Sequence, residues 1–355
     1  MKLSTLLLSS AALVVAGSAF AADLPAKKAA PAAKPAATGC PAFGAGFFQI
    51  PGGDTGIKLS GYMAYEGNYN GTAGTYGQDG AFRLITDVRS NTDAGVVRGF
   101  ARITGSYGNT SSGSSSGTDM TPSRAYVQLG GLTAGKNASL ADISGTAGWN
   151  YGSNLGGGTG TGIWYAMNAG SATITLGEEN SIKDDAGNTS KRPDILGKVS
   201  FAAGDAKLDL VGVSHAPQDD NGGSDGNGYA FLGRVGVTSG DFGAAIFGGV
   251  SKGALKYTSS VPTGAADYDS SSTTDYSTGS NMGGEVTAKL GNGLLAIAAG
   301  TQKATSAGGG STKTTTIGVD YALNVAKGFV VEPEVIFNTG DSKSDVYYLT
   351  IHRDF

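Results

Sequence analysis

Apolar and polar residues alternate through most of the chain after residue 57, and no helical period appears there. In the first such segment Leu59, Met63 and Tyr65 share one face, whereas Lys58 and Glu66 share the other. A period of two is typical of β-strands with one apolar and one polar face. The chain is therefore predicted to be all-β. Sixteen strands are predicted, at residues 57–69, 80–90, 95–107, 121–129, 132–137, 161–168, 171–180, 192–203, 206–216, 227–238, 241–252, 280–290, 293–303, 311–323, 328–338 and 345–355.

The connections between these segments alternate between short and long. The short ones lie at residues 91–94, 130–131, 168–170, 203–205, 239–240 and 291–292, and the long ones at 70–79, 108–120, 138–160, 181–191, 217–226 and 253–279. In a membrane barrel, short turns face the periplasm, long loops face outward, and closure leaves no unpaired strand edge. A β-solenoid would also be rich in Gly, Ser and Thr, but it would show a fixed repeat, which this sequence lacks. We therefore expect a closed antiparallel transmembrane β-barrel, with Pro333 marking a bulge or a gap in the fifteenth strand.

The first residues of the chain predict export. Lys2 and a mostly apolar stretch at residues 3–15 precede the small-x-small motif at residues 19–21. This order is typical of a secretory signal peptide, here residues 1–21. An uncleaved membrane anchor is the alternative, but the stretch is short and has no charged stop.

Two further regions follow the predicted cleavage site. Residues 22–56 form an N-terminal segment that begins Ala/Pro/Lys-rich, a composition that cannot bury a core. Residues 57–355 form the transmembrane β-barrel. Cys40 lies well beyond the cleavage site, so it is badly placed for lipid attachment and is interpreted as an unpaired thiol.

The composition excludes several function classes. One cysteine cannot form an internal disulfide, and two histidines cannot build a zinc site of the usual His/Cys kind. A net charge of −4 is the opposite of the strongly basic footprint of a nucleic-acid-binding protein. The acidic run at residues 219–225 departs from calcium-loop spacing, because Gly223 stands where a ligand is needed. No metal, no cofactor and no nucleic-acid partner is therefore predicted.

Charged residues on the polar faces of the early strands are the candidate functional residues. A channel needs no catalytic group, but it needs a lumen that is lined by charge and narrowed. Strand parity turns these side chains inward if Leu84 and Val88 face lipid, where an arginine near the midplane would cost about 2–4 kcal/mol. The alternative is that some arginines form structural ion pairs with Asp87 or Glu66. The predicted pore-constriction residues are Arg83, Asp87, Arg89, Arg98, Arg102, Arg124 and, in the third long loop, Asp142.

Three blocks of the sequence resemble alphaproteobacterial outer-membrane porins. The segment GCPAFGAGFFQIPGGDTGIKLSGYMAYE at residues 39–66 resembles the start of those proteins, and the terminal IHRDF resembles their last strand. RAYVQLGGLTAGKNASLAD at residues 124–142 resembles the strand pair that leads into their inward-folded constriction loop. The resemblance implies a third loop folded into the lumen and a homotrimer. The chain departs from the family in having no second cysteine and only one acid, Asp142, in that loop.

These observations predict an outer-membrane porin, surrounded by outer-membrane lipids, through which small hydrophilic solutes and ions diffuse passively. A structural or adhesive barrel with an occluded lumen is the alternative, because it shares every barrel signal and differs only in conductance. An enzyme is not predicted, because a lipase-type barrel needs Ser and His close together on its outer surface, whereas His215 and His352 both have the parity of inward-facing residues. Charge selectivity stays open, since inward arginines favour anions whereas acidic outer loops and the net charge favour cations.

Overall fold

The computed structural model describes residues 39–50, 53–109, 119–143, 148, 150–151, 158–179, 192–216, 227–259, 277–306 and 309–355. The predicted signal peptide and residues 22–38 lie outside this part of the chain. Short 3-10 helices occur at Pro41–Phe43 and Leu255–Tyr257. No helix among the described residues is long and apolar enough to cross a membrane.

Sixteen long strands and one short strand make up the described structure. The strands are β1 (Phe48–Gln49), β2 (Gly56–Asn70), β3 (Thr75–Thr92), β4 (Gly95–Asn109), β5 (Asp119–Leu129), β6 (Leu132–Ala138), β7 (Thr159–Ala169), β8 (Ala172–Glu179), β9 (Asp194–Ala203), β10 (Ala206–His215), β11 (Gly228–Ser239), β12 (Phe242–Lys252), β13 (Thr278–Leu290), β14 (Gly293–Thr305), β15 (Ser311–Ala326), β16 (Phe329–Gly340) and β17 (Ser344–Asp354). All sixteen predicted strands are present as β2–β17, each within a few residues of its predicted bounds.

The sheet closes on itself. Each strand from β2 to β17 pairs antiparallel with the next, and β17 pairs with β2. At this seam Gly61 and Phe355 exchange two backbone hydrogen bonds, each 3.1 Å long. Closure leaves no strand edge in the bilayer, where an unpaired peptide group would cost several kcal/mol. The prediction of a closed sixteen-stranded antiparallel barrel is confirmed.

The two faces of the strands differ as the alternation predicts. Large apolar side chains on one face are exposed, as in Met63 (66%), Ile246 (68%) and Met282 (68%). Residues of the other parity, such as Glu285 and Thr350, are buried although they are polar. The exposed apolar face is the lipid-facing belt, and the polar face surrounds the lumen.

The first connection is shorter than predicted. Residues 70–79 were expected to form a long loop, but β2 runs to Asn70, β3 begins at Thr75, and only residues 71–74 turn. Tyr69 and Tyr76 are register partners, and Asn68 packs against Gly77. These strand ends are polar or glycine-rich, so the hairpin continues without the alternation that would have predicted it.

Two other local features concern the pairing of single strands, a gap beside Pro333 and an additional short strand before β2. Pro333 stands at a gap in the β15–β16 ladder, where Asp320 pairs with Glu334 but the next pairs are missing, as predicted. Strand β1, which was not predicted, pairs with the first two residues of β2. Phe43 and Phe47, on either side of the turn before β1, are buried. The N-terminal segment is thus packed on the barrel from residue 39 onward.

Candidate functional site

Asp87 on β3 holds two arginines against the inner wall. Its carboxylate accepts hydrogen bonds from Nε and Nη2 of Arg89, at 3.0 and 2.9 Å, and from the same atoms of Arg98, at 3.0 and 2.9 Å. The guanidinium of Arg89 also lies 4.8 Å from the ring centre of Phe47, and that of Arg98 lies 5.1 Å from Phe100. Forked guanidinium–carboxylate pairs are among the strongest hydrogen bonds in proteins. Arg89 and Arg98 therefore form structural ion pairs with Asp87, which is the alternative to a pore-lining role that was considered for these arginines.

Arg83, Arg102 and Arg124 form a second group near the middle of the same wall. None of them forms an ion pair with a carboxylate of the described residues. Arg102 and Arg124 are direct register partners, and both Arg124 and Arg83 repel the charge of Arg102. The Nε atoms of Arg83 and Arg124 are buried without a hydrogen-bond partner among the described groups. This group, which we call the arginine triad, is the uncompensated positive charge of the wall.

A β-bulge positions Arg102 within the triad. Arg102 opposes Arg124, whereas Ile103 opposes Pro122, so Ser123 is an extra residue on β5. Proline has no N–H for the ladder and is suited to such a break. The Ser123 hydroxyl accepts a hydrogen bond from Arg102 Nε at 2.7 Å. Bulges commonly re-aim side chains next to functional sites, and this one fixes the direction of the Arg102 guanidinium.

The third long loop enters the barrel from its first residues. The Leu140 N–H donates to Glu179 Oε1 at 2.8 Å, and Ala141 and Ile143 are almost fully buried. Asp142 lies between them, and its charge attracts the ammonium of Lys198 on β9. The cluster around Ala141 and Ile143 comprises Leu196, Val211, Val213, Ala230, Leu232, Ala254 and Tyr257, on β9–β11 and just after β12. The first residues of the loop therefore pack on the side of the lumen that lies six strands from β4, and not on the arginine wall of β3–β5.

The described residues farther along the loop are fastened to β15 and β16. The backbone N–H groups of Asn150 and Tyr151 donate to the carboxylate of Glu334, at 2.9 and 3.0 Å. The Tyr151 ring covers Gly318, where a Cβ atom would come within 2.4 Å of the ring. Gly148 has a φ of +81° and also packs on Glu334. The predicted inward fold of the third loop is confirmed, and glycines at both contacts allow its close approach to the wall.

Tyr151 is the apolar anchor of this loop. It is 2% exposed and packs with Phe247, Ala296, Ala298 and Ile336. Burial, assisted by the charge of Glu285, raises the pKa of Tyr151 to about 12. The phenol therefore stays protonated at physiological pH, and it donates a hydrogen bond to the carbonyl oxygen of Thr316 at 3.4 Å.

Carboxylates that the sequence analysis did not single out as site residues line the wall beneath this anchor. Asp320, Glu332 and Glu334 are all buried on β15 and β16. Glu66 on β2 accepts hydrogen bonds from the Asn150 side chain at 3.1 Å and from Thr350 at 3.3 Å. Glu332 and Glu334 share one strand parity on either side of Pro333, and this pattern in the sequence could have identified them as residues of the lumen. β16 lies four strands from β4, so acidic and basic walls stand a quarter of the circumference apart.

None of the described residues forms a group of three or more His, Cys, Asp or Glu side chains that could hold a metal ion. The lumen instead combines guanidinium groups, carboxylates and a loop fastened across it. Such a surface can orient and sort passing solutes by size and charge.

A family model and several curated relatives match the sequence. The model described as "Porin subfamily" matches residues 28–352. Porin Omp2b of Brucella suis biovar 1 (strain 1330) is 36% identical over 154 residues, which are 38% of this chain and 41% of the relative. The chain thus spans about two fifths of the length of the curated relatives it matches.

Solved structures of low sequence identity share the fold. The outer membrane channel DcaP of Acinetobacter baumannii superposes with a TM-score of 0.73 at 15% identity, covering 87% of this chain and 99% of that one. The trimer form of OmpT of Vibrio cholerae gives a TM-score of 0.56 at 12% identity, covering 85% and 100%. Both are similar to this chain in architecture.

Proposed function

Because the chain belongs to the porin subfamily and is a multi-pass β-barrel of the outer membrane, we propose that it forms a water-filled channel for passive diffusion of small hydrophilic solutes and ions. One observation carries this proposal: a loop is fastened inside the closed barrel by Glu334 and Gly318, so that it narrows a charged lumen. The porin subfamily is a family of channels rather than enzymes.

The constriction that we propose lies between the arginine wall and the anchored third loop. The arginine triad supplies the positive side, and the carboxylates of Glu66, Asp320 and Glu334 supply the negative side. Arg89, Asp87 and Arg98 act mainly as a rigid ion-paired part of the wall. Asp142 contributes a negative charge from the side that faces the arginines. The resulting transverse field would orient dipolar solutes and favour the passage of ions of one charge over the other.

Stepwise currents in planar lipid bilayers are the expected result for the purified protein. A closed barrel whose lumen is narrowed but polar should conduct salt, because water fills the space between the charged walls. The measurement is single-channel recording at fixed salt and voltage. Heat-denatured protein at the same concentration is the control. Correctly assembled protein that gives no stepwise current would favour the structural barrel with an occluded lumen.

The arginine triad is expected to set the charge selectivity. A unit charge about 8 Å from an ion in water changes its energy by about 0.5 kcal/mol, or roughly twofold in permeability ratio. Arg102→Ser together with Arg124→Ser should therefore change the cation-to-anion permeability ratio by roughly fourfold in favour of cations. This change is measured as a shift of the reversal potential in a salt gradient. Arg98→Ser is the matched control, since Arg98 shares Asp87 with Arg89 and should have the smaller effect. An equal shift in the two variants would contradict the assignment of the triad.

We further propose that the functional unit is a homotrimer. The proposal rests on family membership and on the shared fold of a neighbour described as a trimer form. The mass of the detergent-solubilised protein that retains bilayer activity tests this proposal.

A further inference from the structure

The first described residues of the chain form a small hairpin at the end of the barrel that carries the short turns. Gly39 and Phe48 form an antiparallel bridge, and we call residues 39–49 the N-terminal hairpin. The hairpin leads into β2, whose first residue, Gly56, pairs with Arg89 close to the short turn between β3 and β4. Short turns of outer-membrane barrels face the periplasm, so the N-terminal hairpin lies at the periplasmic mouth.

Backbone pairing fixes the N-terminal hairpin to the barrel wall. Gly56 and Ile57, at the start of β2, pair with β3 on one edge and with β1 on the other. β17 pairs with β2 from Tyr62 onward, along the same edge that β1 occupies. β1 therefore continues the barrel sheet in line with β17, and the second strand of the hairpin is part of the wall.

The rest of the N-terminal hairpin packs on the lumen side of that wall. Phe43 and Phe47 are its buried aromatic residues. The ring of Phe47 lies 4.8 Å from the guanidinium of Arg89, and a Cβ atom at Gly56 would come within 2.6 Å of the Phe43 ring. Gly56 and Arg89 are register partners and share the inward parity of Asp87. The two rings therefore cover the inner surface of the wall, and Gly56 leaves the space for one of them.

The tip of the N-terminal hairpin stands clear of the wall. Gly44 and Gly46, on either side of Ala45, have φ angles of +97° and +84°, which suit glycine in a tight turn. All three residues are exposed. The inward side chain of Lys58 runs beside this turn, since a Cβ atom at Gly46 would lie 3.3 Å from its Cε. An exposed turn above two buried rings on the inner wall occupies space in the mouth of the lumen.

We propose that the N-terminal hairpin is a second constriction of the channel, at the periplasmic mouth and in series with the third loop. The proposal rests on the proposed channel function. The third loop is fastened to β15 and β16, whereas the hairpin is fastened to β2 and β3, so the two segments narrow the lumen from different parts of the wall. Lys58, Arg89, Arg98 and Asp87 together carry a net positive charge beside the hairpin, so solutes pass a second region that favours anions.

A charge attached to the hairpin tip tests whether it lines the conducting path. Cys40→Ser removes the single cysteine of the chain, and Ala45→Cys then places one exposed thiol at the tip. A trimethylammonium methanethiosulfonate on this thiol should lower the single-channel current and shift the permeability ratio toward anions by roughly twofold. A sulfonate reagent of similar size should also lower the current but shift the ratio toward cations. Ala94→Cys in the same background, in the exposed turn between β3 and β4, is the matched control and should give smaller changes.

Phe47→Ala tests how the hairpin is held. Removing a buried aromatic side chain shifts a packing equilibrium by about a hundredfold or more, so the released hairpin should raise the mean current and its fluctuations. Phe48→Ala is the matched control, because Phe48 is the next residue, is 39% exposed and pairs with Ile57 on the lipid-facing parity. It should conduct as the unaltered protein does.

The outcomes separate the hairpin from the channel itself. Mass spectrometry confirms that each thiol has reacted, so an unchanged current and ratio after modification at residue 45 would overturn the proposal. Equal changes at residues 45 and 94, or shifts of the ratio in one direction with both reagents, would overturn it as well. An unaltered current in Phe47→Ala would overturn the assignment of the anchor to this ring. A parent protein that assembles but gives no current would contradict the channel, which is a different result from any of these.

Discussion

Gly61→Ala is expected to leave most of the protein unassembled. A Cβ atom at residue 61 would lie 1.9 Å from the carbonyl oxygen of Arg83, which belongs to the backbone of β3 and cannot rotate away. The same residue exchanges two backbone hydrogen bonds with Phe355 at one end of the β17–β2 seam. Overpacking in a well-packed site costs about 1–3 kcal/mol, and a clash with the backbone of the neighbouring strand belongs at or above the upper end. Loss of closure would expose unpaired peptide groups to lipid.

Heat-resistant migration in semi-native electrophoresis measures this assembly. Gly99→Ala is the matched control, because residue 99 lies in the interior of β4 and a Cβ atom there would contact nothing within 4 Å. We expect Gly99→Ala to migrate as the unaltered protein does. Normal heat-resistant migration of Gly61→Ala would mean that β2 and β3 can separate without opening the seam.

Glu334→Ala should release the third loop and increase both the open-channel current and its fluctuations. The buried carboxylate accepts backbone N–H groups of Asn150 and Tyr151, and hydrogen bonds to charged groups contribute about 1.5–3 kcal/mol each. Losing both changes the equilibrium between the anchored and released loop by a factor of about 10² to 10⁴. A released loop no longer narrows the lumen, so the mean current rises as the loop moves. Single-channel recording provides both readouts.

Two further variants should increase the current less than Glu334→Ala does. Glu334→Gln keeps one carbonyl acceptor and should give an intermediate current. Tyr151→Phe keeps the ring over Gly318 and removes only the hydroxyl, whose hydrogen bond to Thr316 is long at 3.4 Å. It should therefore conduct almost as the unaltered protein does. If Glu334→Ala gave the unaltered current and noise, the apolar packing of Tyr151 alone would suffice to hold the loop.

The barrel was predictable because the membrane-spanning part of every strand meets lipid on its outer face. Apolar residues must recur at every second position there, so even β6, the shortest barrel strand, was recognised. Strand ends beyond the lipid belt carry no such requirement, which explains why the hairpin at residues 71–74 was mistaken for a long loop. β1 is only two residues long, too short for a period of two to be seen.

The lumen was less predictable, since parity tells which side chains point inward but not which of them meet. Arg98 and Arg102 look equivalent in sequence, yet one is held by Asp87 and the other is beside Arg124. The role of Glu334 depends on a loop that begins nearly two hundred residues earlier in the chain. The side of the barrel against which the loop packs is likewise set by long-range contacts that no local pattern contains.

The third loop also has a mechanical consequence. A thin-walled tube resists stretching along its wall far better than flattening of its cross-section. The loop leaves the wall between β6 and β7 and is fastened to β15 and β16, almost diametrically opposite in the ring. It therefore acts as a tie across the diameter, and lateral pressure from the bilayer that would turn the round section into an oval must strain the Glu334 hydrogen bonds. The segment that we propose to set the aperture for solutes would thus also be the brace that keeps the aperture constant.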